Sequence, residues 1–535
     1  MSEHQPESPV ISIAGARKAR RRAAPNDPRP TIQIVAGDIE RIVDHSERAL
    51  VAANRGLYQR DGRIVSVVDV PVLTANGRET GAQRIAERED YALIEDLAAA
   101  AQFTRYDARR KGDVAVDPPM AIVKTLRQRS GRLRFPILTG IINAPTLRAG
   151  GSILDAPGYD EKTGLLFDPL GVDFPSIESR PTLAAASKAL ALLKDLISSF
   201  PFVGEVDRAV ALSGILTALV RRSLPTAPLH AYTAPVAGSG KSMLVDIASI
   251  VSTGHEAGVI AQGKSEEEME KRLGALLIAA DPVIAIDNCE NALGGELLCQ
   301  MLTQTRVKPR ILGHSLAPEL STGASVFATG NNLVLVGDLT RRSVLCRLDP
   351  KCERPETRVF SRNPIAFAKA NRAELVAAAL TVLRAFHVAG SPAKAAPLGG
   401  FEEWSRTVRD ALISLGCADP VASMEIVRSA NPITTNIAAV MEQWADIVGP
   451  TNVTVADVIK QATERGKPIE SDTVEFTHPD FREALLTVAG NGGAINSRRL
   501  GKWLGEVADR IINGRRFENV GGRSGVALWR LTNPD

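Results

Sequence analysis

Cysteine is scarce in this chain, with five in 535 residues: Cys289, Cys299, Cys346, Cys352 and Cys417. The count is odd and no two form a C-x-x-C pair. That spacing argues against a disulfide framework and against a zinc site, and favours reduced thiols in a cytoplasmic protein. No apolar run approaches the roughly 18 residues of a membrane helix, so no membrane partner is expected. The N-terminus lacks the apolar core of a secretory signal. Charge of one sign is also missing. Lys and Arg number 64 against 61 Asp and Glu, a net of +3, so any nucleic-acid-binding surface has to be local. No fixed-period repeat is present.

The apolar and charged fractions, 44% and 23%, are those of an ordinary globular protein, and the length calls for several domains. Residues 1–30 read as a disordered basic tail carrying Arg17, Lys18, Arg20, Arg21 and Arg22. A small α+β domain is expected over 31–175. Within it lie a strand at Ile32–Val35, an amphipathic helix over 38–54 and a hairpin over 58–65 that turns at Asp61-Gly62. Helices follow over 182–222, and strands alternate with helices from about 228 to 350. The pattern is α/β, with a core domain expected over 176–350. A helical region is expected over 351–470 and a separate small unit over 471–535.

The strongest motif is a phosphate-binding loop. Leu229–Thr233 can form a buried strand, Gly238-Ser239-Gly240-Lys241-Ser242 follows, and an apolar helix comes next. Glycines let backbone N–H groups curl around phosphates, the helix N-terminus favours negative charge, lysine reaches the terminal phosphates and serine ligates magnesium. The cofactors implied are ATP and Mg2+. The pattern G-x-x-x-x-G-K-[ST] is incomplete, because Pro235 stands where its first glycine belongs.

Three further pieces follow in order. The apolar run Val283–Ile286 ends in Asp287, a second ligand for the magnesium shell, and the strand at 324–329 leads to Asn331, an amide able to orient water or read the γ-phosphate. Arg341 and Arg342 precede a strand at 343–348 and suit an arginine finger supplied in trans.

In this order and spacing, the four pieces resemble superfamily 3 helicases of the AAA+ class, in particular the helicase part of phage, poxvirus and mobile-element primase–helicases. The resemblance covers best about residues 200–350. It implies an AAA+ P-loop core, a homo-hexameric ring and DNA as partner. It also implies a channel hairpin at 305–314, whose Lys308 and Arg310 suit phosphates and whose His314 suits bonding or stacking to single-stranded DNA. Many AAA+ proteins place Glu directly after the magnesium Asp as general base. Here that residue is Asn288, and Glu290 is the candidate substitute. Hallmark primase clusters are lacking, so a primase partner would be a separate protein.

Near the C-terminus, Asn496 or Ser497 can cap a helix that presents Arg498, Arg499 and Lys502, and two strands follow around a glycine-rich tip carrying Arg523. Helix plus basic-tipped hairpin resembles a winged helix for double-stranded DNA. Two functions fit these readings. One is an ATP-driven DNA helicase or translocase serving replication of a mobile element. The other is an AAA+ switch that assembles on DNA without unwinding it.

Overall fold

The computed structural model describes residues 27–73, 79–309, 319–358, 362–429, 432–466, 476–523 and 526–534. The basic cluster at 17–22 and the candidates Arg310 and His314 lie outside them.

Among the described residues, three large hydrophobic cores and two small ones form along the chain. The first gathers Ile32, Leu50, Leu93, Leu97, Phe103, Ile122 and Leu126. It lies between a sheet of Thr31–Gln33, Gln102–Asp107 and Gly112–Ala115 and the helices Ile39–Ala52, Asp90–Ala100 and Met120–Arg127. The expected hairpin runs Leu57–Arg60 into Arg63–Leu73. Its turn residues Asp61 and Gly62 have φ of 49° and 76°, the left-handed pair a tight two-residue turn requires.

The second core is the largest and holds the α/β region. Its elements are α1 (Glu205–Val220), β1 (Leu229–Ala234), α2 (Lys241–Thr253), β2 (Val259–Ala261), α3 (Glu266–Ala279), β3 (Val283–Asp287), α4 (Glu296–Thr303), β4 (Ser325–Asn331), β5 (Ser343–Arg347) and α5 (Arg372–Val388). The five strands form one sheet in the order β2-β3-β4-β1-β5, and every pairing is parallel. Apart from edge strand β2, the strands are buried almost end to end and become accessible at their carboxyl ends, at Asp287 and Asn331. A parallel sheet covered on both faces reads this way, and its ligand crevice lies at those carboxyl ends.

Local chemistry sets the element ends. The helix after the loop begins at Lys241, two residues earlier than the apolar run suggests, because Gly240 at φ 96° turns the chain directly into it. The strand bearing the amide runs to Asn331, past the Thr329 at which the apolar pattern stops. The helical stretch after 363 is two helices, Pro364–Ala370 and α5, meeting at Asn371.

The third core draws on α6 (Pro432–Ile447), β6 (Val453–Thr454), α7 (Val455–Ala462), α8 (Pro479–Ala489), α9 (Ser497–Val507), β7 (Arg516–Arg523) and β8 (Val526–Thr532). Trp444, Phe481, Leu500, Leu504 and Phe517 are its buried centre, so it reaches upstream of residue 471 to Ile437. Its sheet has the order β6-β8-β7. Among the described residues, no helix is long and apolar enough to cross a membrane.

Candidate nucleotide site

β1 delivers the chain to the loop at Ala234. Gly238 and Gly240 take φ of 73° and 96°, whereas Pro235 is not among the residues with positive φ. The two left-handed positions therefore fall on the glycines that are present, and a proline is tolerated where the usual pattern has its first glycine. Gly240 is also required by space, since a Cβ there would come 2.9 Å from the ring of Phe200. The 200–203 segment is held in place beyond the end of β5. Val203 donates to the Arg347 carbonyl at 3.1 Å, and the buried Asp207 carboxylate accepts the Arg347 backbone N–H at 2.7 Å and its guanidinium at 3.2 Å.

Four of the sequence candidates converge at the carboxyl edge of the sheet. The Lys241 ammonium, largely buried, donates to Asn331 Oδ1 at 2.8 Å and to the Val236 carbonyl at 3.2 Å. Burial pulls its pKa below the usual lysine value, and the charge of Asp287 opposes the shift. Ser242 Oγ donates to Asp287 Oδ1 at 2.8 Å. Topology produces this meeting. β4 runs between β1 and β3, so Asn331 stands between the loop and the acid. Ser239, also in the loop, turns its hydroxyl onto the Val236 carbonyl at 2.7 Å.

One hydroxyl and one carboxylate, half-exposed at a helix N-terminus, make a donor set suited to magnesium, which takes one or two protein oxygens and completes its shell with phosphates and water. No group of three or more His, Cys, Asp or Glu side chains that could hold a metal occurs among the described residues.

Beyond Asp287 the chain turns sharply. Asn288 has φ 51° and donates through Nδ2 to Glu290 Oε1 at 3.2 Å, and Glu290 is exposed. Cys289 is buried and its thiol is pushed up to about 12 by burial, so it stays protonated.

The arginine pair lies at the other edge of the sheet. Ser343 pairs with Leu229, at the opposite end of β1 from the loop, which puts Arg341 and Arg342 about 20 Å from it by strand length. Both pair with Asp338, but Arg341 is 58% exposed, whereas Arg342 is 15% exposed and also donates to the Cys299 carbonyl and, at 2.7 Å, to Thr303 Oγ1.

The expected hairpin is longer than 305–314. Arg306–Val307 pairs antiparallel with Leu320–Ser321, so the return arm comes after 318 rather than before 314. Lys308 is exposed and lines a cavity of about 330 Å³ with Glu266, Glu270 and Glu296.

In the C-terminal unit, Asn496 rather than Ser497 is the cap, its side chain accepting the Arg499 N–H at 3.0 Å. Arg498, Arg499 and Lys502 are exposed; Arg499 also donates to the Gly490 carbonyl at 2.6 Å, and Lys502 lies 3.6 Å from Glu506. Arg523 pairs through its backbone with Val526 at the hairpin end, and its side chain lies outside the described residues. Arg530 and Arg516 share Glu518, whose carboxyl they hold down at about 2, so one of these two positive charges is offset internally.

One residue of the site escaped the sequence reading. Thr329 precedes Asn331 by two on the same strand, and its hydroxyl donates to Asp287 Oδ1 at 2.6 Å. The alternation of β4 is the signal that finds it, since i and i+2 share a face.

No family model matches the chain, and no curated protein matches it. Among solved structures it is similar to "The A form apo structure of NrS-1 C terminal region-CTR", with 11% identity, 82% of this chain and 98% of that chain covered, and a TM-score of 0.34. It is similar to "SCCmec type IV Cch - active helicase", with 11% identity, 89% and 97% covered, and a TM-score of 0.34. A third likeness is to "The X-ray structure of JCV Helicase", with 12% identity, 46% and 73% covered, and a TM-score of 0.22.

Proposed function

We propose that this protein is an ATP hydrolase that moves DNA, a helicase or translocase working as a ring in the replication of a mobile element. The observation that carries the reading is the convergence of Lys241 with Asn331 and of Ser242 with Asp287 at the carboxyl edge of one parallel sheet. In it, Gly238 to Ser242 cradle the phosphates, Lys241 neutralises them, Ser242 and Asp287 hold magnesium, and Asn331 reads the γ-phosphate. Magnesium supplies charge neutralisation at the transferring phosphoryl group. Glu290 is the candidate base for water, oriented by Asn288.

An arginine finger has to come from a neighbouring subunit, because Arg341 and Arg342 lie at the far edge of their own sheet. Arg341 is the better candidate, since Arg342 is occupied by α4. Lys308 and the hairpin it begins direct the motion at single-stranded DNA, with α9 and the β7–β8 hairpin as a winged helix on duplex DNA.

A forked-duplex unwinding assay with ATP tests the reading, with Lys241→Ala as control. DNA-stimulated hydrolysis and strand displacement are expected in the wild type, and both vanish in the variant. Hydrolysis without displacement in the wild type would favour the non-unwinding switch, as would DNA stimulation that survives Lys308→Ala with Arg310→Ala.

A further inference from the structure

We infer that Thr329 is the positioning residue for the magnesium-binding acid, a role separate from that of Asn331 on the same strand. The inference rests on the nucleotide-site reading above. Thr329 is only 2% exposed, and its hydroxyl both accepts and donates a hydrogen bond. Oγ1 accepts the backbone N–H of Asn288 at 3.1 Å and donates to Asp287 Oδ1 at 2.6 Å, while the Thr329 carbonyl accepts the Cys289 N–H at 2.7 Å.

These bonds fix a direction. The Asn288 N–H takes a lone pair of the hydroxyl, so the single hydroxyl proton is left for Asp287. The carboxylate is thereby held in one rotamer, and the left-handed turn at Asn288 that leads to Glu290 is pinned to the same side chain. Ser242 donates to the same carboxylate oxygen, but its oxygen is also the one a metal claims. The Thr329 hydroxyl holds Asp287 and the Asn288 N–H together. A valine of the same shape would suit a buried strand equally well, so the hydroxyl is present for its bonds and not for packing. Hydrogen-bond partners behind a metal ligand typically account for 10–100-fold in metal affinity.

The test uses the full chain and a fluorescent ATP analogue, titrated at equilibrium without metal in EDTA and then with Mg2+. Thr329→Val is expected to raise the Mg2+ concentration needed for half of the metal-dependent tightening by about 10-fold or more. Affinity in EDTA stays within about twofold of wild type, and Thr329→Ser restores the Mg2+ response. An unchanged Mg2+ response in Thr329→Val overturns the role. So does a loss of affinity in EDTA equal to the loss in Mg2+, which would mark general damage to the loop. Should Thr329→Val fail to fold, Thr329→Ala is titrated in the same way and judged by the same outcomes. A wild type that binds no analogue overturns the site as a whole, and this role with it; a wild type that binds, with a Mg2+ response Thr329→Val shares, overturns the role of Thr329 alone.

Discussion

At the scale of single residues, the loop separates two kinds of glycine. A motif counts glycines by position, whereas the backbone needs them only where φ is positive or a neighbour is close. Pro235 is exposed and has no positive φ, whereas Gly240 has both a positive φ and a close neighbour. Pro235→Gly is therefore expected to leave nucleotide affinity within about threefold of wild type and to cost about 0.4–1 kcal/mol of stability through the freer unfolded chain. Gly240→Ala is expected to cost about 1–3 kcal/mol and to abolish binding, because a side chain there is strained and strikes Phe200. Urea midpoints and fluorescent-nucleotide titration measure both. Comparable affinities in the two variants would show that the motif's missing glycine and its present one are equivalent, contrary to the geometry. Lys241, Ser242, Asp287 and Asn331 were all legible as candidates in the sequence, the first two from the glycine loop that opens a helix and the last two as polar residues at or just beyond the ends of apolar runs. Thr329 was not, since a threonine inside a buried strand looks like packing until its hydroxyl is seen to face an acid.

At the scale of elements, the strand order does what no single strand can. β1 supplies the loop and β3 the acid, and β4 threads between them with Thr329 facing Asp287 and Asn331 facing Lys241. β1 also carries His230, fully buried, with Nε2 at 3.0 Å from Ser213 Oγ and the rings of Phe327 and Trp404 nearby. Burial pulls its pKa down from 6.5 to about 3. The folded value lies below the unfolded one, so this contribution to stability is fully present above about pH 6.5 and is lost as pH falls toward 3. At pH 5 the difference amounts to about 2 kcal/mol, from roughly 1.5 units at about 1.4 kcal/mol each. The drop in unfolding free energy between pH 7.5 and 5.0 is expected to be about 2 kcal/mol smaller in His230→Phe than in the wild type, measured by urea denaturation. Equal drops in the two proteins would mean that His230 is not held neutral by the fold.

At the scale of the whole molecule, the largest core among the described residues underlies the sheet that carries the candidate nucleotide residues, apart from the N-terminal and C-terminal cores. Strand length puts Arg341 about 20 Å from the loop, so the proposed arginine finger calls for a site shared between subunits. Arg341→Ala is expected to lower hydrolysis about 10³-fold with nucleotide binding retained. Mixing it with Lys241→Ala is expected to bring back activity, because one variant keeps the loop and the other keeps the arginine. A phosphate-release assay on the one-to-one mixture decides the matter, and activity no greater than the mean of the two separate proteins would sink the trans arrangement. The hairpin illustrates why boundaries are harder to read than elements. Its basic residues suggested a short turn, but the partner of Arg306 is Ser321, and pairing across so many residues leaves no local signature.

The sequence by itself determined the chemistry on offer. A buried strand running into a glycine loop, Lys-Ser and an apolar helix has few uses other than phosphate, and strands ending in Asp287 and Asn331 offer a metal ligand and a polar reader, because hydrophobic periodicity and turn residues are local properties. Tertiary structure decided which of these groups meet, and on which side. Strand order is set by the packing of helices on both sheet faces, a long-range balance that no window of sequence contains. That order puts Asn331 between Lys241 and Asp287, sets the Thr329 hydroxyl against an acid, and sends the arginine pair to the far edge of the sheet from the loop.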